Sequence, residues 1–243
     1  MKYMIHTVPK RLWYVEKYLI PSMIKQGIMK KDIYIYNDEN GFGNLFAFLD
    51  SLEYILKNLS DEVGIWHLQD DVIISKNFKN ETESLTNTGC VVNGFVNKWY
   101  ANVEKFGLVN VKDYWYSFPC IFIPNKYIDE FLKWIDRVKE KAPYRKRYNK
   151  KRYDDWFFYK FLQEEYPEDN MYNRKPNLID HIDYLLGGTT GTRKNIQVRA
   201  EYFEDLDLVK ELERKIKNEL SQTNKETQKI REEVSRLYNN SNE

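Results

Sequence analysis

The sequence predicts an α/β fold whose first half carries a parallel sheet. Three observations lead there. Short β-prone runs alternate with amphipathic helical segments between residues 3 and 74. The runs are separated by turn-forming Gly, Asn, Asp and Pro. With 243 residues, 42% of them hydrophobic and 16% aromatic, the chain can bury one sizeable core and carry an appendage.

The elements follow in order. "YMIHTV" (3–8) is a strand closed by Pro9, and Leu12 to Gln26 has apolar residues at helical spacing, ending at Gly27. "DIYIYND" (32–38) alternates as a strand and enters the Gly/Asn-rich loop "ENGFGN". "LFAFLDSLEYILKNL" (45–59) is an amphipathic helix, and "VGIWHLQDDVII" (63–74) is the next strand. Strand, helix, strand, helix, strand implies parallel pairing with right-handed crossovers. "CVVNGFV" (90–96) and "CIFIPNKYI" (120–128) read as strands, and "IDEFLKWIDRVKEK" (128–141) as a helix. A basic loop precedes "DDWFFYKFLQEEY" (154–166), a helix whose first two acids complement its dipole. Residues 173–194 read as irregular, with Pro176 and a glycine cluster at 187–191.

From residue 204 the composition turns to Glu, Lys, Gln and Asn, without Gly or Pro. Val209, Leu212, Ile216, Leu220, Thr223, Thr227, Ile230, Val234 and Leu237 follow a heptad with one stutter. The expected organisation is a domain over 1–203 and a helical tail over 204–243. Residues 204–238 would serve as a coiled-coil seam for a homo-oligomer.

Charge and cysteines exclude some classes. Lys+Arg (38) and Asp+Glu (37) nearly cancel, so no global field draws nucleic acid or membrane. No segment approaches the roughly 20 apolar residues of a membrane span, and Pro9-Lys10-Arg11 interrupts the only N-terminal apolar run. Cys90 and Cys120 are too few and too far apart for a disulfide framework. A cytoplasmic location is expected.

The chemistry concentrates in "GIWHLQDDVIISKNF" (64–78). Sixteen Asp in the chain predict roughly one Asp-Asp pair by chance, and two occur, so the dipeptide by itself carries little. Position carries more. Asp70 and Asp71 sit at or near the carboxyl end of a strand, where open α/β sheets bind ligands. Two adjacent carboxylates need a cation, and hard divalent ions prefer oxygen ligands.

These segments resemble the nucleotide-sugar glycosyltransferases of the GT-A fold. "IHTVPKRLWYVEKYLIPSMIKQG" is similar to their opening strand and helix, with a Pro-x-Arg-like turn near the nucleotide. "YNDENGFGNLFAFLDSLEYIL" and "IWHLQDDVII" resemble their second strand, Gly/Asn loop, helix and metal-binding "DxD" strand. "RYDDWFFYKFL" is similar to the acidic helix start whose last acid serves as base, and "KPNLIDHIDY" to the late segment whose histidine completes the metal site. "YWYSFPCIFIP" stands where the family has a Gly-rich acceptor loop and lacks the glycine; Gln69 stands where many members have an acid.

The resemblance implies a mixed sheet flanked by helices and transfer of a sugar from a nucleoside diphosphate sugar, UDP foremost, to an acceptor hydroxyl. Asp71 and His181 would hold Mn²⁺ or Mg²⁺. Asp70 would contact the ribose or the ion's water, and Asp155, or else Asp154, would be the general base, with inversion at the anomeric carbon. Thr7, Pro9, Arg11, Asn37, Asp38 and Asn44 would bind the nucleotide. His6 and His67 are assigned to strand packing.

The segment "RVKEKAPYRKRYNKKRY" (137–153) concentrates nine basic side chains next to Asp154. It would close over the donor diphosphate, or contact a polyanionic acceptor such as DNA or a cell-surface polymer. Nucleotidyl or phosphoryl transfer also uses paired Asp, although no Walker-type phosphate loop is present. A non-catalytic assembly protein is the remaining class.

Overall fold

The computed structural model describes residues 1–59, 62–96, 107–110, 117–169, 171–186, 200 and 203–240. The glycine cluster at 187–191 and the 114–116 part of the expected acceptor loop lie outside them. The chain divides into two compact units, Met1–Glu204 and Asp205–Glu243.

The first unit begins with strand β1 (Lys2–Thr7), whose residues Tyr3 to Ile5 are almost wholly buried. A helical stretch follows: a tight turn at Pro9–Arg11, α1 (Leu12–Tyr14), a π-helical segment at Val15–Leu19, and α2 (Ile20–Lys25). Pro9 starts this stretch because proline lacks an N–H that a first turn would leave unbonded. The expected helix over 12–26 is thus present but wider in its middle.

Next come β2 (Ile33–Asn37), α3 (Asn44–Asn58), β3 (Gly64–Gln69), β4 (Val72–Ile74), α4 (Phe78–Thr86), β5 (Val91–Asn93), β6 (Gly107–Asn110), β7 (Cys120–Pro124) and α5 (Asn125–Val138). The unit continues through α6 (Tyr144–Tyr148), α7 (Asp154–Glu165), β8 (Met171–Lys175), β9 (Ile179–His181) and α8 (Asp183–Leu186).

Among the described residues, seven strands form one mixed sheet in the order β2-β1-β3-β7-β5-β8-β6, while β4 and β9 pair apart from it. β1 runs parallel to both β2 and β3, as the alternation predicts. β7 then runs antiparallel to β3, which makes the sheet mixed.

Helices α3, α5 and α7 cover one face, where Phe48, Phe131, Trp134, Phe158 and Phe161 join Met4, Ile65 and Ile121 from the sheet. Residues of opposite parity face the other way. Tyr3 bonds Thr82 Oγ1 at 2.8 Å, and Trp66 Nε1 donates to Thr86 Oγ1 at 3.1 Å, both on α4. Period-two alternation thus feeds two apolar layers.

The single strand expected over 63–74 is broken at Asp70-Asp71. β3 ends as Gln69 N donates to Pro119 O at 2.9 Å, and β4 leaves to pair antiparallel with β9. Part of the 173–194 stretch, read as irregular, supplies β8's end and β9. In the basic segment, α5 runs to Val138 and α6 forms at Tyr144–Tyr148.

The second unit is one helix, α9 (Leu206–Asn240), 35 residues long and so about 52 Å in length at 1.5 Å per residue. Glu211–Lys215 and Glu213–Lys217 pair along it at the i,i+4 spacing. Among the described residues no helix is long and apolar enough to cross a membrane.

Candidate functional site

A strand order of 2-1-3 means the chain leaves β1 on one side and returns to its other side as β3. Between the carboxyl ends of β1 and β3 the crossovers diverge, leaving a crevice. A cavity of about 290 Å³ opens there. β1 contributes His6 and Thr7, with Val8 and Arg11 just beyond; β3 contributes Gln69, followed by Asp70 and Asp71. The loop after β2 adds Asp38 and Gly41 to Asn44, and Lys150, Lys151 and Arg152 form a basic wall.

The acid pair is buried, with Asp70 and Asp71 each 5% exposed and Arg11 3%. Arg11 Nη1 lies between them, 2.8 Å from Asp70 Oδ1 and 2.5 Å from Asp71 Oδ2. The other oxygen of Asp70 accepts from Thr7 Oγ1 at 2.9 Å and Val8 N at 3.3 Å. The other oxygen of Asp71 accepts from His181 Nε2 at 3.0 Å. All four carboxylate oxygens therefore have protein donors. β4–β9 pairing places His181 opposite Val72, and Ile182 N donates to Asp71 O at 2.8 Å, so the ladder delivers this histidine. Tyr14 donates to Val72 O at 2.7 Å and ties the Arg11 stretch to the same point.

Burial opposes charge on Asp71, but His181 and Arg11 outweigh it and hold its carboxyl below the usual range. Burial and the Asp71 charge push Asp70 up against Arg11 and Thr7. Both of its oxygens nonetheless accept hydrogen bonds, the pattern of an ionised carboxylate. Burial disfavours the His181 proton, yet Asp71 raises the ring to about 9. Two negative groups thus face two positive ones.

The ion implied by the resemblance was Mn²⁺ or Mg²⁺ on Asp71 and His181. The arrangement does not fit it: the oxygens that would ligate it accept from Arg11, Thr7, Val8 and His181. Among the described residues no group of three or more His, Cys, Asp or Glu side chains is disposed to hold a metal ion.

Asp38 is nearly buried and shapes the neighbouring loop. Its carboxylate accepts from Phe42 N at 3.0 Å and Gly43 N at 3.3 Å, while its own N–H donates to Thr7 O. Gly43 has φ +88°, and a Cβ there would lie 2.7 Å from Lys151 O. Leu45 N donates to that same carbonyl at 3.3 Å, so the β2 loop and the basic wall are joined through backbone. Lys151 (φ 53°) and Tyr153 (φ 73°) hold left-handed conformations that side chains disfavour. Such strain is found where surrounding structure over-determines the backbone.

The second acid pair stands elsewhere. Neither Asp154 nor Asp155 lines the cavity, although Arg152 does. Asp155 Oδ2 accepts from Ser117 N at 2.7 Å and Oδ1 from Trp156 N at 2.7 Å. Ser117 also has a positive φ, 65°. Burial, then the charge of Asp155, pushes Asp154 up to about 7, and burial raises Asp155 as well.

Thr7, Arg11, Asp38, Asn44, Asp70 and Asp71 thus converge on the cavity, with His181 bonded to Asp71. Pro9 shapes the turn behind them, and Asn37, at the end of β2, donates to Glu39 Oε1 at 3.3 Å. Neither of these two lines the cavity. His6 was assigned to packing, yet it does, as an imidazole that burial lowers to about 4 and keeps neutral. Its place as the penultimate residue of β1 was the available signal. The basic segment divides in use. Arg137 pairs with Glu165 at 2.8 Å, Lys139 with Asp136 at 2.6 Å, and Arg147 lies over the Trp156 ring at 4.0 Å. Only its last three basic residues reach the cavity.

No protein-family model matches the chain, and no curated protein does. Among solved structures it is similar to A197 from STIV, at 19% identity and a TM-score of 0.42 over 74% of this chain and 85% of that one. It is also similar to a glycosyltransferase involved in the glycosylation of the major capsid of PBCV-1. That match has 12% identity and a TM-score of 0.37, over 72% of this chain and 83% of that one.

Proposed function

We propose that this chain is a glycosyltransferase with a GT-A-like architecture, moving a sugar from a nucleoside diphosphate donor to an acceptor hydroxyl. The observation that carries the reading is one cavity at the divergence of β1 and β3. It joins an acid–arginine cluster, an Asp38-capped glycine loop and a basic wall. Asp38, His6 and Asn44 offer polar groups to a base and ribose, with UDP the first donor to try. Breaking the glycosidic bond puts negative charge on the leaving diphosphate, and cations aimed at developing charge lower the barrier. Lys150, Lys151 and Arg152 stand in that cavity, which favours donor closure over a polyanionic acceptor as the use of the basic segment.

Asp155 is the proposed base, leaving inversion as the expected stereochemistry. Two N–H donors occupy only part of its lone-pair capacity, so it can still accept a proton. Its bond to Ser117 N also fixes the chain beside it. Asp154, its neighbour in the chain, is a buried second carboxyl.

Thermal shift with UDP, GDP, CDP and ADP and their sugars tests the reading. A ligand that binds only the folded chain raises its stability by about 2.7 kcal/mol at 100 times Kd. At least one diphosphate should stabilise the protein, and its sugar should release that diphosphate when a hydroxyl acceptor is supplied. No stabilisation by any of them would overturn the reading.

A further inference from the structure

An acid pair that serves a divalent ion must keep oxygens free for it. Here the space between the two carboxylates holds the Arg11 guanidinium instead. An arginine cannot make way by losing its proton, because it stays charged throughout the accessible pH range. His181 Nε2 lies 3.0 Å from the far oxygen of Asp71, so protein groups engage all four carboxylate oxygens of the pair. A divalent ion placed between the acids would sit against that fixed guanidinium, and two like charges in contact inside a buried site repel strongly. Arg11 also reaches this place by design of the fold. Pro9 starts its turn, and Tyr14 pins the following helix to Val72 O.

We propose that Arg11 is the resident cation of this site. It fills the place between Asp70 and Asp71 that a divalent ion would take. The nucleoside diphosphate is then met by Lys150, Lys151 and Arg152 across the cavity, and the donor binds without metal. This rests on the nucleotide-sugar reading and goes beyond it, because the resemblance implies a metal-dependent enzyme. The role of the acid pair is thereby inverted: it orients an arginine and closes the cavity floor, and the anion is recognised from the opposite wall.

The test is calorimetric titration of the full chain, first with MnCl₂ alone, then with UDP, GDP, CDP and ADP in EDTA and again in Mn²⁺. Wild-type protein should show no saturable Mn²⁺ site, and the best diphosphate should bind within about threefold in both buffers. Lys150→Ala with Arg152→Ala should weaken that diphosphate by about tenfold or more in EDTA, because charge-assisted bonds to phosphate are lost. Arg11→Met empties the place between the acids and should acquire a Mn²⁺ site that wild type lacks. If that variant does not fold, the wild-type and Lys150/Arg152 titrations decide the matter. A diphosphate that binds about tenfold or more tightly with Mn²⁺ overturns the proposal while leaving the glycosyltransferase reading intact. So does wild-type affinity in the Lys150/Arg152 variant. Absence of binding in both buffers overturns the nucleotide-sugar reading itself, and the proposal with it.

Discussion

The chain contains two Asp-Asp pairs, one after a strand and one opening a helix, and the fold surrounds them differently. Asp70 and Asp71 share a guanidinium, and Asp71 has an imidazolium on its second oxygen. Asp154 and Asp155 accept from backbone N–H groups, those of Ser117 and Trp156 at Asp155. Burial is comparable, yet Asp71 is held below the usual carboxylate range while Asp154 is pushed up to about 7. The difference lies in the counter-charges: at Asp71 desolvation is outweighed by His181 and Arg11 together, and at Asp154 it prevails, reinforced by the charge of Asp155.

The largest test of this contrast is catalytic. Asp155→Asn should keep donor binding and lower turnover by about 10²–10⁴, the usual worth of a general base. Normal turnover would place the base elsewhere.

Stability comes next. Asp71→Asn leaves Arg11 and His181 without a full buried counter-charge and should cost about 3–5 kcal/mol. Asp154→Asn removes a carboxyl that the fold prefers neutral and should be nearly silent below pH 7. Urea melts of both variants at pH 6 would show it, and equal losses would erase the contrast.

The pH dependence follows from the same two environments. Asp154 titrates near 3.8 unfolded and about 7 folded, so between those values the folded chain holds a proton the unfolded chain has lost. Stability should therefore fall as pH rises through that window, and Asp154→Asn should flatten it. His181 rises from 6.5 to about 9, so its ion pair is fully stabilising below 6.5 and is lost as pH climbs through 9. Asp71 has the opposite sign: its contribution is present above 3.8 and disappears as acid protonates it. Melting temperatures from pH 3 to 10 for wild type, Asp154→Asn and His181→Asn separate the three.

The smallest effect concerns the wall between the regions. Gly43→Ala sets a Cβ against Lys151 O at a positive φ and should cost about 1–3 kcal/mol, with weakened diphosphate binding. An unchanged melt would mean the β2 loop and the basic wall can separate freely.

Much of the sheet was legible because period-two alternation is local. β1, β2, β3 and α3 stand where apolar spacing put them, and the helical tail follows its composition. The break after Gln69 was not legible, because residues 63–74 read as one continuous apolar run around two acids. What ends β3 is Pro119 on one side and β9 on the other, both far along the chain. Likewise Pro124 closes β7 earlier than the run "CIFIPNKYI" suggests, since α5 begins at Asn125. The convergence of Thr7, Asp38 and Asp71 could be anticipated from strand ends. The use of Arg11, foreseen on a phosphate but found on the acids, could not.

By itself the sequence determined the alternation of strands and helices, the acids at an element boundary and the basic run before α7, since these depend on neighbours along the chain. Which charge neutralises which was decided only by tertiary structure. Electrostatic energy depends on distance and burial, and Asp71 meets His181 across 110 positions of sequence.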